Sequence, residues 1–216
     1  MNDLFDDHQS HKDQSIILGD GAVLLPEWFT DSSSKVLETI AAIVIKAPFR
    51  TMITPGGLSM SISMSNCGQV GWVSDRQGYR YCSCDPCTGL PWPAMPDFLR
   101  DLATEAARQG GYQDFVPDAC LINRYDPGTK LSLHQDRDER DFSAPIVSLS
   151  LGLTARFQFG GLTRTAPVKK FSLRHGDCVV WGGAARLAFH GILPLKDDGR
   201  SPLGPYRLNL TFRKAL

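Results

Sequence analysis

"KLSLHQDRDER", residues 130–140, holds one histidine and six charged side chains, and it leads almost directly into the apolar stretch "APIVSLSLGL", residues 144–153. The second stretch predicts a buried strand, because it is short, rich in leucine and β-branched residues, and followed by a glycine turn. Similar short, apolar segments occur on both sides of it from residue 117 onward. The candidate strands are "ACLINRY", "LSLHQD", "IVSLSLGL", "ARFQFGG", "KKFSLRHGDCVVWGG", "LAFHGI" and "YRLNLTFRKAL". Many short strands separated by glycine turns predict a β-sandwich or jelly roll.

His134 and Asp136 stand two residues apart in an alternating run whose other phase holds leucines. Successive side chains of a strand point to opposite faces, so these two side chains would share one face. A later candidate strand supplies His190. Two imidazoles and one carboxylate form the facial triad that binds non-haem Fe(II) and leaves positions open for a co-substrate and O₂. The simpler alternative is a surface histidine beside an aspartate, which the spacing alone does not exclude.

The C-terminal candidate strand "YRLNLTFRKAL" alternates polar and apolar residues. Its polar face is predicted to hold Arg207, Asn209, Thr211 and Arg213. Two arginines facing a pocket are unfavourable to bury without an anion, and a guanidinium pairs with a carboxylate through two hydrogen bonds. A dicarboxylate would meet this requirement, and Asn123 and Tyr125 of "INRY" share a face that can donate to the same ligand. The alternative is that both arginines are exposed on an edge strand.

The overall composition suits one globular domain with an appendage, or two small lobes. The chain has 216 residues, 42% of them hydrophobic and 21% charged, and its 23 basic residues balance 23 acidic ones. A protein that binds nucleic acid through bulk charge would be basic, so such binding here would need a local patch. No apolar run is long enough to span a membrane, and the N-terminus lacks the features of a secretory signal. We therefore predict a cytoplasmic protein with no membrane partner, whose six cysteines are reduced thiols.

The first half of the chain has a different texture. Residues 1–15 are polar and acidic and predict a disordered tail. Helices are predicted within residues 30–49 and 96–112. Residues 50–96 are rich in glycine, proline, serine and aromatic residues, and we expect them to form the hairpins and loops of a mobile surface.

Several motifs resemble the AlkB family of Fe(II)- and 2-oxoglutarate-dependent dealkylating dioxygenases. They are "NRY", "HQDRDE", "FQFGG", "HGDCVVWGG", "FHGI" and "RLNLTFR". The resemblance runs from about residue 17 to residue 213 and includes "TPGG", "GW", "RQGYRY" and "PWPAMP" in the variable region. It implies an all-β core of the double-stranded β-helix, or jelly-roll, type over residues 117–216, with flanking α-helices. Residues 16–116 would hold the N-terminal helices and a nucleotide-recognition lid.

The resemblance also implies a role for each site residue. The iron ligands, which carry the catalysis, would be His134, Asp136 and His190. The distal carboxylate of 2-oxoglutarate would be held by Arg207, Asn209 and Tyr125, and its metal-chelating end by Asn123 and Arg213. The base pocket would be formed by Trp72, Tyr79, Asp138 and Arg164. Two alternatives remain at this pocket. Trp72 could belong to the core of the lid, and Asp138 could be a solvated charge of a loop.

The reaction implied by the resemblance is oxidative demethylation of N1-methyladenine and N3-methylcytosine in single- or double-stranded DNA, with RNA as a further substrate, by a monomeric enzyme. It consumes O₂ and 2-oxoglutarate and forms succinate and CO₂, and the hydroxylated methyl group leaves as formaldehyde. One alternative is a related oxygenase that acts on RNA or protein. Less favoured alternatives are a zinc hydrolase, which would leave the arginine face without a role, and a non-catalytic β-sandwich that binds a ligand.

Cys82, Cys84 and Cys87 of "YCSCDPC" depart from the family pattern. Three thiols within six residues could join a zinc or redox site, but no fourth ligand is evident. We expect them to be incidental cysteines of the lid.

Overall fold

The computed structural model describes residues 15–216, so the tail predicted at residues 1–15 lies outside the described residues except for Ser15. The described part of the chain forms fourteen strands and two α-helices. The strands are β1 (Ile16–Gly19), β2 (Ala22–Leu25), β3 (Arg50–Ile53), β4 (Ser59–Gly68), β5 (Gly71–Asp75), β6 (Gly78–Cys82), β7 (Ala119–Tyr125), β8 (Leu131–His134), β9 (Ile146–Gly152), β10 (Ala155–Phe159), β11 (Lys169–Leu173), β12 (Cys178–Trp181), β13 (His190–Ile192) and β14 (Arg207–Arg213). The helices are α1 (Ser33–Lys46) and α2 (Asp97–Gln109). Both helices lie inside the ranges predicted for them, and each candidate strand after residue 117 contains an observed strand.

Two antiparallel sheets and one hairpin make up the β-structure. The large sheet has the strand order β1-β2-β12-β9-β14-β7-β4-β3, and the small sheet has the order β11-β10-β13-β8. Strands β5 and β6 form a separate hairpin. The two sheets share one core, to which the large sheet contributes Ile146 and Trp181 and the small sheet Phe157 and Phe159. The predicted all-β core with flanking helices is confirmed, and its architecture is a jelly roll.

Helices α1 and α2 cover the outer face of the large sheet. The core between them and the sheet contains Val36, Ile40, Ile43, Leu99, Ala103, Val147, Leu149, Leu208, Leu210 and Phe212. The apolar phase of β14 therefore packs against the helices, and the opposite phase, including Arg207 and Asn209, lines a cavity between the sheets. Strand β14 lies between β9 and β7. The predicted alternation is confirmed, and the alternative of exposed arginines on an edge strand is wrong.

Strand β4 contradicts the expectation that residues 50–96 form only a mobile surface. It lies between β7 and β3 in the large sheet. Its buried apolar residues are Ile62, Met64 and Cys67. The intervening serines masked this apolar alternation in the sequence, and buried Ser65 is accommodated because its hydroxyl donates to the carbonyl oxygen of Ala47. Four strands that precede residue 117 thus belong to the same sheet as β14.

Two further features bear on the sequence predictions. Within residues 15–216, neither α-helix has the length and apolar character that crossing a membrane requires. All six cysteines are free, as expected of reduced thiols, and Cys67, Cys120 and Cys178 are buried.

Candidate active site

Three candidate metal ligands meet where β8 and β13 lie side by side. His134 ends β8 and His190 begins β13, and the two residues are paired across the strands. Asp136 lies two residues beyond the end of β8, so the strand ends sooner than the alternation predicted. Nε2 of His134 is 3.6 Å from Oδ1 of Asp136, and Nε2 of His190 is 3.9 Å from Oδ2. All three donor atoms lie within 4.8 Å of one another, so one metal ion can reach two imidazoles and a carboxylate.

Backbone carbonyl groups set the tautomers of both imidazoles. Nδ1 of His134 lies 2.9 Å from the carbonyl oxygen of Ser132, and Nδ1 of His190 lies 3.0 Å from that of Ala188. A carbonyl oxygen only accepts, so each Nδ1 carries the hydrogen and each Nε2 keeps its lone pair. The two lone pairs therefore belong to the nitrogens nearest Asp136, as a metal site requires.

Arg213 holds Asp136 in its ionised form. Nε and Nη2 of Arg213 donate to Oδ2 of Asp136 at 3.0 and 2.7 Å. Burial favours the protonated Asp136 carboxyl, but the charge of Arg213, followed by the two histidines, outweighs burial and holds its pKa well below the usual range. Burial lowers the pKa of His190 to about 4. Near neutral pH the cluster therefore offers a carboxylate and a neutral His190 imidazole.

Arg207 is a buried cation with no carboxylate partner among residues 15–216. Only 1% of the residue is exposed, and its Nη2 donates to Oγ of Ser150 at 3.0 Å. Its Nε and Nη1 are buried without a hydrogen-bond partner. The guanidinium lies 5.0 Å from the ring centre of Tyr125, and burial lowers its pKa. An unpaired buried charge is unfavourable, so these atoms call for an anionic ligand.

Two asparagines form a hydrogen-bonded row across β7, β14 and β9. The side-chain nitrogen of Asn209 donates to Oγ of Ser148 at 2.8 Å and to the carbonyl oxygen of Leu149 at 2.9 Å. Its Oδ1 accepts from Asn123 at 3.3 Å and from Thr211 at 3.0 Å. Oδ1 of Asn123 is buried and has no partner. The amide of Asn209 is thus engaged within the protein on both sides, whereas Oδ1 of Asn123 is a buried acceptor that receives no hydrogen bond.

Fe(II) and 2-oxoglutarate fit these residues. Two imidazoles and one carboxylate are the ligand set of non-haem Fe(II) oxygenases. The unpartnered nitrogens of Arg207 suit a carboxylate, and Arg207 lines the same cavity as the three metal ligands. A dicarboxylic co-substrate would therefore supply the counter-charge that the protein does not provide for the buried Arg207.

The cavity has a volume of about 810 Å³ and is also lined by the β5–β6 hairpin. Trp72 and Tyr79 stack with ring centres 5.6 Å apart and 13° between their planes. Nε1 of Trp72 donates to Oδ2 of Asp138 at 2.8 Å. The guanidinium of Arg164 lies 5.1 Å from the ring centre of Phe189. All four residues predicted for the base pocket thus line the cavity that contains the metal ligands.

The sequence reasoning missed the residues that support the site. Glu139 and Arg186 are buried and form an ion pair at 3.0 Å, and the hydroxyl of Tyr81 donates to Glu139 at 2.7 Å. Ser148 and Ser150 bond to the asparagine row and to the buried arginine. The serines of "IVSLSLGL" offered a signal, because a serine in a buried strand needs a partner. Nothing in "HQDRDER" distinguishes Glu139 from its exposed neighbours.

Cys82, Cys84 and Cys87 do not gather into a metal site. Over residues 15–216, the only group of three or more histidine, cysteine or acidic side chains close enough to share a metal ion is the histidine–aspartate cluster described above. Cys84 and Cys87 are exposed and Cys82 is half-buried.

A family profile described as "2OG-Fe(II) oxygenase superfamily" matches residues 21–213. The chain belongs to this superfamily. It is 53% identical over 216 residues to "Alpha-ketoglutarate-dependent dioxygenase AlkB" of Escherichia coli (strain K12), a match that covers 100% of this chain and 98% of that protein. It is 45% identical over 185 residues to the AlkB homolog of Caulobacter vibrioides, which covers 83% of this chain and 80% of that protein.

A solved structure and more distant relatives are also similar to this chain. A structure described as that of OsALKBH1 has a TM-score of 0.80 and 30% identity, over 93% of this chain and 100% of that one. Some relatives carry a substrate in their names. An Arabidopsis thaliana "DNA N(6)-methyladenine demethylase" is 36% identical over 65% of this chain and 36% of its own length. A Schizosaccharomyces pombe "tRNA demethylase" is 29% identical over 56% of this chain and 40% of its own length.

Membership of the 2OG-Fe(II) oxygenase superfamily settles the class of enzyme. The chain is an AlkB-type dioxygenase that uses Fe(II), 2-oxoglutarate and O₂. The zinc hydrolase and the non-catalytic β-sandwich are therefore set aside.

Proposed function

We propose that this enzyme demethylates N-alkylated bases in nucleic acid, with N1-methyladenine and N3-methylcytosine of DNA as substrates. The observation that carries the proposal is the stacked pair of Trp72 and Tyr79, with Asp138 bonded to its edge, in the cavity of the metal ligands. Aromatic faces suit a planar base, which must leave its helix to reach such a site. A carboxylate beside the aromatic pair favours a base that methylation has made positively charged.

The chain's own residues bind and orient the reactants. We assign Fe(II) to His134, Asp136 and His190, the distal carboxylate of 2-oxoglutarate to Arg207, Asn209 and Tyr125, and its chelating end to Asn123 and Arg213. The Asn209 amide would release Ser148 to donate to the carboxylate. When bound, iron and 2-oxoglutarate supply the oxidation by O₂ that hydroxylates the methyl group and yields succinate and CO₂. The hydroxymethyl group then leaves the base nitrogen as formaldehyde, and the unmodified base is restored.

A basic segment free of acidic residues supports a polyanionic substrate. Residues 142–176 contain five arginines or lysines and no aspartate or glutamate. Arg164 lines the cavity, and Arg156, Lys169 and Lys170 are exposed on the adjoining strands β10 and β11. In the described part of the chain, none of these four cations forms an ion pair. Unpaired cations beside the cavity suit the phosphates that flank the bound nucleotide.

Replacing both Lys169 and Lys170 by glutamate is expected to weaken binding of a methylated oligonucleotide by roughly tenfold and to flatten its salt dependence, because each phosphate contact releases a counterion. The affinity for 2-oxoglutarate should not change. Fluorescence anisotropy over a salt series measures both effects. A matched control reverses Lys35 and Lys46 on α1, which covers the opposite side of the large sheet. Equal losses in the two double variants would attribute the effect to net charge and not to the position of the lysines on β11.

Replacing Asp138 by alanine is expected to lower kcat/KM on oligonucleotides with N1-methyladenine or N3-methylcytosine by about ten- to a hundredfold, because a charge-assisted hydrogen bond contributes about 1.5–3 kcal/mol. Both bases are cationic and carry an exocyclic amino group. N3-methylthymine is neutral and lacks that group, so its slow turnover should survive, as should decarboxylation of 2-oxoglutarate without substrate. Formaldehyde release from the three oligonucleotides at one salt concentration measures the effect.

The variant Asp138→Asn separates the two contacts of this carboxylate. An amide oxygen can still accept from Nε1 of Trp72, but it carries no charge. If Asp138 reads the base, Asp138→Asn resembles Asp138→Ala on the cationic bases. If Asp138 only orients Trp72, Asp138→Asn keeps most of the activity, and Asp138→Ala loses activity equally on all three bases.

The nature of the polymer is tested with the same lesions in DNA and in RNA. RNA is included because one relative is named a tRNA demethylase. We further propose that the enzyme acts as a monomer, since one chain supplies every residue named for the cavity. We place it in the cytoplasm, where its six free cysteines remain reduced.

A further inference from the structure

Glu139 lies in the most highly charged stretch of the chain, yet only 6% of it is exposed. Its Oε1 accepts a hydrogen bond from the hydroxyl of Tyr81 at 2.7 Å and lies 3.3 Å from Nε of Arg213. Its Oε2 lies 3.0 Å from Nη2 of Arg186. A carboxylate is rarely buried unless charges and hydrogen bonds compensate it. Here two guanidinium groups and a phenol do so.

The two arginines that hold Glu139 also hold Asp136. Arg213 donates from Nε and Nη2 to Oδ2 of Asp136 at 3.0 and 2.7 Å. Arg186 donates from Nη1 to the backbone carbonyl oxygen of Asp136 at 2.8 Å and from Nε to that of Ala144 at 3.0 Å. Arg213 therefore fixes the Asp136 carboxylate, and Arg186 fixes the main chain that carries it.

The charges of this network balance, with two guanidinium groups against two carboxylates. Without Glu139, two buried cations would face Asp136 alone, and Arg213 would attract that carboxylate without a competing acceptor. Of the two carboxylate oxygens of Asp136, only Oδ2 accepts hydrogen bonds from Arg213. The other oxygen, Oδ1, lies 3.6 Å from Nε2 of His134. Glu139 thus limits the competition between Arg213 and a metal ion for Asp136.

Tyr81 extends the network to the β5–β6 hairpin. It pairs directly with Trp72 across the two strands. Trp72 in turn donates to Asp138 at 2.8 Å. The hairpin with the aromatic pair is therefore bonded to the segment 136–139 at two points, through Asp138 and through the buried Glu139.

We propose that Glu139 and Tyr81 are positioning residues for the metal carboxylate. Glu139, bonded to Tyr81, holds Arg213 and Arg186 in the arrangement that presents Asp136 to the metal. The position of the β5–β6 hairpin and the geometry of Asp136 are thereby coupled. This inference rests on the proposed function for the role of Asp136 as a metal ligand.

The first test measures Mn(II) binding to the metal-free protein by calorimetry, without 2-oxoglutarate or oligonucleotide. Glu139→Gln keeps the shape of the side chain and removes its charge. Outer-shell partners of metal ligands typically change metal affinity by about ten- to a hundredfold, and we expect a loss in that range. An unchanged Mn(II) affinity with a lowered Tm would show that Glu139 has only a structural role and would overturn the proposal.

Tyr81→Phe keeps the inference testable if Glu139→Gln does not fold. It removes one hydroxyl and leaves the ring, which packs against Val70, Ala119 and Ala215. We expect Mn(II) affinity to fall severalfold, and KM for the methylated oligonucleotide to rise together with a fall in kcat. If the hydroxyl acts through Glu139, Tyr81→Phe has no further effect on Mn(II) affinity in the Glu139→Gln background. Additive losses would contradict the coupling.

Tyr112→Phe is the matched control for the loss of a tyrosine hydrogen bond. The hydroxyl of Tyr112 donates to the carbonyl oxygen of Gly21 at 2.8 Å, outside the network. This variant should keep wild-type Mn(II) affinity, and equal Mn(II) losses in both would overturn the proposal. A wild-type protein that binds Mn(II) but releases no formaldehyde from any methylated oligonucleotide would contradict the proposed function alone. The Mn(II) comparison between variants would still decide the inference.

Discussion

Replacing Asp136 by alanine is expected to abolish both the oxidation of 2-oxoglutarate and the demethylation of any oligonucleotide. The change removes the one carboxylate of the metal cluster and leaves Arg213 beside two imidazoles with Glu139 as its remaining carboxylate partner. Residual metal binding through the two histidines is weak, because the anionic ligand is gone. His134→Ala and His190→Ala have the same expected outcome, since each removes an Nε2 lone pair. Succinate and formaldehyde are measured in the same reactions.

The variant Asp198→Ala is the control for the loss of an aspartate, since Asp198 is exposed and lies outside the cavity. It should keep wild-type turnover. Mn(II) titration and thermal melting of the purified variants separate a lost ligand from a lost fold, because a folded variant without a ligand still melts cooperatively and loses metal affinity. Full activity in any of the three ligand variants would remove that residue from the metal site.

The parts of the site that the sequence predicted are those whose spacing has a direct geometric meaning. His134 and Asp136 are two residues apart, and the alternation of β14 separates Arg207 and Asn209 from Leu208 and Leu210. In both stretches a period of two is enough to bring the polar side chains to one face. The third ligand, His190, lies on the distant strand β13. Residue spacing does not predict that β13 pairs with β8.

The parts that could not be predicted depend on partners far away in the chain. Glu139 is buried because Arg186 and Arg213 meet it, and no local pattern encodes contacts across such separations. Ser65 is buried for a similar reason, since a carbonyl group at the end of α1 accepts its hydrogen bond. A serine-rich or charge-rich segment therefore looks like a surface until its partners are known. This is why the sequence predicts a surface segment at β4 and gives no signal that Glu139 is buried.

Replacing Arg207 by alanine is expected to raise KM for 2-oxoglutarate by several hundred-fold or more, because losing one partner of a buried charge pair costs about 3–5 kcal/mol. Arg207 is 1% exposed, and its unpartnered Nε and Nη1 are the donors that await a carboxylate. The metal ligands do not contact Arg207 in the hydrogen-bond network, so Mn(II) affinity without 2-oxoglutarate should change little. Initial rates of succinate formation against 2-oxoglutarate concentration give KM.

Arg207→Lys is the variant that tests whether geometry or charge alone binds the anion. A lysine restores one positive charge but lacks the planar pair of donors, and its more compact, strongly hydrated ammonium is less suited to the buried position beside Tyr125. KM in Arg207→Lys should therefore lie between those of the wild type and Arg207→Ala. If lysine restores the wild-type KM, charge alone suffices and the two free guanidinium nitrogens have no special role. If Arg207→Ala folds and keeps the wild-type KM, the carboxylate binds elsewhere in the cavity, and the other buried cation that lines it is Arg213.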